Sequence, residues 1–213
     1  MQKIILTTLA CTLVNAAMRV PAEEPKKADA NKAKLPKVLL IGDSISSGYS
    51  KEVQNQLRDK AEVVQAGCGY TTPALEKLDE WLALADWDVI HFNFGLNDFE
   101  GAPPRVSTVQ YERNLREIVR KLKGAKCELI WCSTTPITPG KLSSVRDYRD
   151  VPRYNEVACK VMKDNKISVN DLYSFTLPRL KELQIEEDVH FKPDGYVVLA
   201  KQVASAIDRH LPK

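Results

Sequence analysis

The chain has 213 residues, 44% of them apolar, with a formal net charge of +3. That length suits one domain able to bury roughly 70% of the surface its unfolded form exposes, so no disulfide or metal staple is required. Lysines and arginines alternate with acids, and the absence of a basic patch argues against a nucleic-acid partner.

Met1-Gln2-Lys3 is followed by an uncharged apolar run over residues 4–14, too short to span a bilayer. Small residues follow at Asn15-Ala16-Ala17 and at Val20-Pro21-Ala22, either of which suits signal-peptide cleavage. Residues 1–22 therefore read as a secretory signal, which implies an exported protein, periplasmic or extracellular, with no membrane insertion once the signal is removed. Residues 23–34 are Lys, Glu, Asp, Ala and Pro with little to bury, a solvated leader before a domain over 35–213. Beyond the signal lie Cys68, Cys127, Cys132 and Cys159, without Cys-x-x-Cys spacing and with no histidine spaced to complete a metal site. Buried thiols are expected. Cys127 and Cys132 would face opposite sides of a straight strand and so could not bridge each other.

Val38-Leu39-Leu40-Ile41 is a short apolar run suited to a strand buried on both faces, and it breaks at Gly42-Asp43-Ser44. Helical spacing resumes with Val53, Leu57 and Ala61, predicting a helix over 49–60. Residues 62–66 form a second strand, the glycine-rich turn 67–73 leads into a helix through Trp81 and Leu84, and residues 88–94 form a third strand ending at Gly95-Leu96-Asn97-Asp98. After a loop with Pro103-Pro104 comes an amphipathic helix over about 108–123, with Leu115, Ile118, Val119 and Leu122 on one side. Strand four covers 127–132, and a long Pro/Ser/Thr-rich stretch over 134–149 follows. A helix from Pro152 to near Asn165, a fifth strand over 167–172, a helical piece over 177–183 and a closing helix over 193–210 complete the chain.

Five strands alternating with helices imply an α/β fold of the flavodoxin-like kind, a five-stranded parallel sheet between helical layers with right-handed crossovers. Ligands of such sheets lie beyond the carboxyl ends of the strands, which puts the turns at Ser44, Gly69 and Asn97 on one rim. A serine there is a candidate nucleophile. Its base is found by elimination: His91 lies inside an apolar strand, His210 near the C-terminus, and His190 alone in an acid-flanked loop. The Ser44 and Gly69 backbone N–H groups and the Asn97 side-chain amide are candidate donors for an oxyanion. Tyr70, Arg146, Tyr148, Arg149 and Arg153 make the expected substrate-facing rim polar, and no long apolar lid segment is visible.

Gly42-Asp43-Ser44-Ile45, Gly67-Cys68-Gly69-Tyr70-Thr71, Gly95-Leu96-Asn97-Asp98 and Val189-His190-Phe191 together resemble, in order, the four blocks of the SGNH, or GDSL, hydrolase superfamily. The resemblance runs from about residue 37 to 211. It implies a three-layer α/β/α sandwich and ester or thioester hydrolysis without metal or cofactor. By the same resemblance Ser44 is the nucleophile, His190 the base, and Ser44, Gly69 and Asn97 the oxyanion hole, with Gly67 the alternative to Gly69. The family's acid stands three residues before the histidine, where this chain has Glu187; Asp188 is the alternative, and a Ser–His dyad supported by a backbone carbonyl is the third arrangement. Within the family, an exported enzyme with a polar rim resembles the carbohydrate O-acetyl esterases. The rival readings are a short-chain lipid esterase or thioesterase and, from another class, a carbohydrate-binding module that has lost its chemistry. The partner in each is a small-molecule or glycan ligand.

Overall fold

β1 (Lys37–Gly42) is buried over its whole length apart from its first residue, as expected of the central strand of a doubly covered sheet. The computed structural model describes residues 34–67, 69–99, 106–139 and 147–213. The predicted signal, the leader up to residue 33, Cys68, Pro103, Pro104 and Arg146 lie outside the described residues.

The other strands are β2 (Glu62–Gly67), β3 (Val89–Phe92), β4 (Glu128–Cys132) and β5 (Ser168–Asn170). All four pairings are parallel and the strand order is β2-β1-β3-β4-β5. The order reverses between β1 and β3. The chain leaves β1 toward one edge and returns on its other side, so the turns after these two strands diverge and open a crevice. Their ends are nearly flush: Gly42 pairs with Gly67 and Ile41 with Phe92. Ser44, Gly69 and Asn97 thus follow the carboxyl ends of three adjacent strands.

The principal helices are α1 (Ser44–Leu57), α2 (Thr71–Leu82), α3 (Thr108–Lys123) and α4 (Asp150–Asn165). After β5 come α5 (Leu172–Thr176), a 3₁₀ turn (Leu177–Arg179), α6 (Leu180–Leu183) and α7 (Pro193–Asp208). α1 packs on α7, whereas α2 packs on α3 and α3 on α4, giving a helical layer on each face of the sheet. α3 buries Tyr111, Leu115, Ile118, Val119 and Leu122 along one stripe and begins at Ser107, whose hydroxyl accepts the Gln110 N–H at 3.2 Å. Residues 34–213 form one unit with one core, and no described helix is long and apolar enough to cross a membrane.

Two expectations need correction. The predicted helix over 177–183 is two short pieces, a 3₁₀ turn and then α6, because Pro178 interrupts the hydrogen-bond ladder and the 3₁₀ turn replaces the first α-turn. The thiols of Cys127, Cys132 and Cys159 are free, but only Cys132 is buried; Cys159 is exposed on α4.

His91 is buried in β3, and its Nε2 lies 3.2 Å from Asn170 Nδ2. Because that amide nitrogen only donates, the imidazole accepts and is neutral. Burial, with the charge of His210 second, lowers its pKa to about 3. The unfolded chain would protonate this residue near its ordinary pKa of about 6.5. The native state is therefore at full advantage above pH ~6.5 and loses it progressively as the pH falls toward 3, by about 2–3 kcal/mol between pH 7 and 4.5. Urea unfolding at those two pH values should show a flatter acid slope in His91→Gln than in the parent. Equal slopes would mean that His91 is not the group responsible.

Candidate active site

The turn after β1 is fixed by Asp43, which is buried and caps α1: its Oδ1 accepts the Ile45 N–H at 2.9 Å. The cap starts the helix at Ser44 rather than near residue 49, where hydrophobic spacing alone puts it. Ser44 is consequently the first helical residue, exposed at the rim, and its backbone N–H belongs to the first turn, where helical N–H groups lack intrahelical acceptors. The same end of the helix favours negative charge.

His190 reaches Ser44 from the opposite end of the chain, with Nε2 2.9 Å from Ser44 Oγ. Its other ring nitrogen, Nδ1, lies 2.7 Å from Asp188 Oδ1, and the same carboxylate oxygen accepts the His190 backbone N–H at 3.0 Å. A carboxylate can only accept, so Nδ1 carries the proton and Nε2 is left to accept from the serine hydroxyl. These donors, the backbone N–H of His190 first, hold the Asp188 carboxyl below the usual carboxylate range. Serine, imidazole and carboxylate thus form a connected relay able to remove the hydroxyl proton and stabilise the resulting imidazolium.

Glu187, preferred from the sequence as the acid, makes no hydrogen bond with the imidazole. The reason lies in the backbone. Glu187 adopts a left-handed conformation with φ of 54°, which tightens the turn, and Asp188 then closes an Asx turn onto the N–H two residues ahead. The Glu187 carboxylate is exposed in a surface groove with Thr138, Lys181 and Lys192. A dyad resting on a backbone carbonyl is not what forms either, since the Nδ1 proton goes to Asp188.

Behind this turn, Gln184 is buried and fully engaged. Its Nε2 donates to Pro136 O at 3.0 Å and to Val189 O at 3.2 Å, and its Oε1 accepts from the Thr138 N–H and hydroxyl, both at 2.8 Å. Sequence reasoning missed it, because a glutamine in a polar stretch carries no local signal of burial. The histidine loop is also tied to α1. The Tyr196 ring, edge-on to Phe191, lies over Gly48, where an added Cβ would come within 2.2 Å of it. Glycine lets α7 approach α1 closely and so bears on the Ser44–His190 spacing.

On the other side of Ser44, Asn97 Nδ2 donates to Gly69 O at 3.1 Å, joining two of the predicted oxyanion residues. Gly69 has a φ of +83°, a conformation open to glycine at little cost, whereas Gly67 is the last residue of β2. Asp98, next to Asn97, is fully buried and accepts the Thr71 N–H at 3.0 Å.

The rim residues make contacts of their own. Tyr70 is half-buried against the core at the N-cap of α2. Tyr148 is exposed, and Arg149 pairs with Asp147, its Nε lying 2.9 Å from Oδ1 and its guanidinium over the Tyr148 ring. Arg153 reaches Asp150 at 3.3 Å. None of Tyr148, Arg149 and Arg153 is hydrogen-bonded to Ser44, His190 or Asp188. No group of three or more metal-ligating side chains occurs among the described residues.

The same arrangement of sheet and helices recurs in solved structures of low sequence identity. A lipase/acylhydrolase from Enterococcus faecalis superposes with a TM-score of 0.73 at 22% identity, covering 84% of this chain and 98% of its own. An acetylxylan esterase from Geobacillus stearothermophilus gives 0.70 at 20%, covering 82% and 94%, and a second acetyl xylan esterase gives 0.69 at 20%, covering 80% and 99%. At these identities the likeness is one of fold. No curated protein sequence matches the chain. Residues 40–198, however, match the sequence model of the GDSL-like lipase/acylhydrolase family, a span that includes Ser44, Gly69, Asn97, Asp188 and His190. The nucleophile turn, the histidine loop and the sheet between them therefore lie within one family match, and the chain belongs to the GDSL-like lipase/acylhydrolase family of serine ester hydrolases.

Proposed function

We propose that the protein is a carbohydrate O-acetyl esterase, exported from the cytoplasm, that works through an acyl-enzyme on Ser44. The observation that carries this reading is the openness of the triad: the His190 and Asp188 side chains keep 41% and 44% of their accessible surface, and Ser44 is exposed. A long acyl chain needs apolar cover, because each methylene left in water forfeits about 0.8 kcal/mol. An acetyl group needs almost none, and an open rim leaves room for a bulky alcohol. The acetyl xylan esterases among the structural relatives support the choice, and the apolar run over residues 4–14 supports export.

In this mechanism His190 Nε2 takes the Ser44 proton as Oγ bonds to the acyl carbon, and the carbonyl electron pair moves onto oxygen. In this reading the Ser44 and Gly69 N–H groups and the Asn97 amide serve as the donors to that oxyanion. Collapse of the tetrahedral intermediate breaks the bond to the alcohol, which leaves with the proton from the imidazolium. Water then attacks the acyl-enzyme, gives its proton to His190, and acetate departs as Ser44 is restored. Asp188 stays ionised throughout and steadies the imidazolium. None of these steps calls for a metal or a redox cofactor.

Hydrolysis of p-nitrophenyl acetate, butyrate and octanoate tests the reading. Expected is a kcat/KM at least about tenfold higher for acetate than for octanoate, followed by release of acetate from acetylated oligosaccharides. Preference for octanoate would move the assignment to lipids. Saturable glycan binding without turnover would make the protein a binding module.

A further inference from the structure

Tyr70, the N-cap residue of α2, provides no side-chain cap. The carboxylate that serves instead comes from another turn: Asp98 Oδ1 accepts both the backbone N–H and the hydroxyl of Thr71, and Asn114 Nδ2 in turn donates to that hydroxyl at 2.8 Å. Asp98 is also bonded through its backbone, its N–H to Gly95 O at 2.8 Å and its carbonyl to the Val106 N–H at 3.1 Å. One side chain therefore joins turn 69–71 to turn 95–98, and these are the turns that carry Gly69 and Asn97.

We propose that Asp98 is a positioning residue for the oxyanion hole, its buried carboxylate clamping turn 69–71 to turn 95–98 so that the Gly69 and Asn97 donors keep one separation. The proposal rests on the oxyanion assignment made above. An oxyanion hole accelerates acyl transfer only if its donors are already aimed at the oxyanion when charge develops, so a rigid link between two donor-bearing turns acts on the transition state rather than on substrate affinity.

The placement is costly, which argues against a merely convenient cap. Asp98 is fully buried, and its Oδ2 has no hydrogen-bond partner among the described residues. Burial raises its pKa to about 7 against the opposing pull of the Thr71 donors. A neutral asparagine or serine could cap α2 from Tyr70's own position at lower cost. A cap there would tie α2 to nothing beyond itself, whereas Asp98 ties it to the neighbouring turn.

The experiment is a double-mutant cycle on p-nitrophenyl acetate hydrolysis, with kcat and KM measured separately and folding checked by circular dichroism. Asn97→Ala should lower kcat at least about tenfold. Asp98→Ala should lower kcat by about thirtyfold with KM changed less than about threefold, and Asp98→Asn, which keeps an acceptor, should recover most of the loss. On the Asn97→Ala background, Asp98→Ala should cost no more than about threefold further, because one of the two donors whose separation it fixes is already gone and only the placement of Gly69 remains to be lost. Losses that multiply on that background, or a folded Asp98→Ala enzyme with parental kcat, would overturn the positioning role while leaving the oxyanion hole intact. If Asn97→Ala keeps full kcat, the oxyanion assignment itself fails and the proposal goes with it. Should Asp98→Ala not fold, Thr71→Val removes one arm of the clamp and keeps the backbone bond. A several-fold fall in kcat at unchanged KM is then expected, and no fall would overturn the proposal.

Discussion

Ser44→Ala is expected to lower kcat for p-nitrophenyl acetate by about 10⁴-fold or more while leaving the far-UV circular dichroism unchanged. The size of the effect follows from the relay. With Oγ removed, His190 Nε2 has no hydroxyl to deprotonate, and the donors around the oxyanion can act only on attack by water. Stability should hold because Ser44 is exposed and the cap of α1 comes from Asp43, whose bond to the Ile45 N–H the substitution leaves alone. Full activity in this variant would remove Ser44 from the mechanism. Burst kinetics in the parent, with release of about one equivalent of p-nitrophenol before the steady state when deacylation is slow, would give direct evidence of the acyl-enzyme.

Asp188→Asn should be the next most damaging change, lowering kcat by about 10²–10⁴-fold. An asparagine fits the same space, but its amide can present an N–H to His190 Nδ1 and so favour the tautomer whose proton sits on Nε2, facing Ser44. The imidazolium formed during attack would also lose its counter-charge. Glu187→Gln is the matched control and should leave kcat within about threefold of the parent, since the exposed Glu187 carboxylate makes no bond to the ring. The pair separates the two acids cleanly. A large loss in Glu187→Gln with a mild effect in Asp188→Asn would show that the turn rearranges during catalysis.

The misplacement of the acid shows what a sequence leaves open. Glu187 and Asp188 are adjacent carboxylates, and counting back three positions from His190 reaches Glu187. The choice between them was made by one backbone dihedral, the left-handed φ at Glu187, which propensity does not signal for a glutamate. The start of α1 is a similar case. Apolar periodicity detects a helix only once it has a buried face, and its first turn is exposed at Ser44 and Ser47, so the cap at Asp43 was the better marker. α3, by contrast, was legible to its ends from its continuous apolar stripe, and the structure's caps, Ser107 before it and Gly124 after it, fall at the same boundaries.

Sequence by itself determined the order of elements, the parallel sheet and the candidate residues Ser44, His190, Gly69 and Asn97. Those features follow from local periodicity, turn chemistry and the short supply of histidines, all of which act over a few residues. Only the tertiary structure decided which carboxylate orients His190, that Gln184 braces the histidine loop, and that Asp98 joins the two turns carrying Gly69 and Asn97. These are contacts between segments from 5 to 48 residues apart or between adjacent side chains competing for one place. Burial decides them, because a polar group removed from water must find its partner in whichever segment the packed sheet and helices bring beside it.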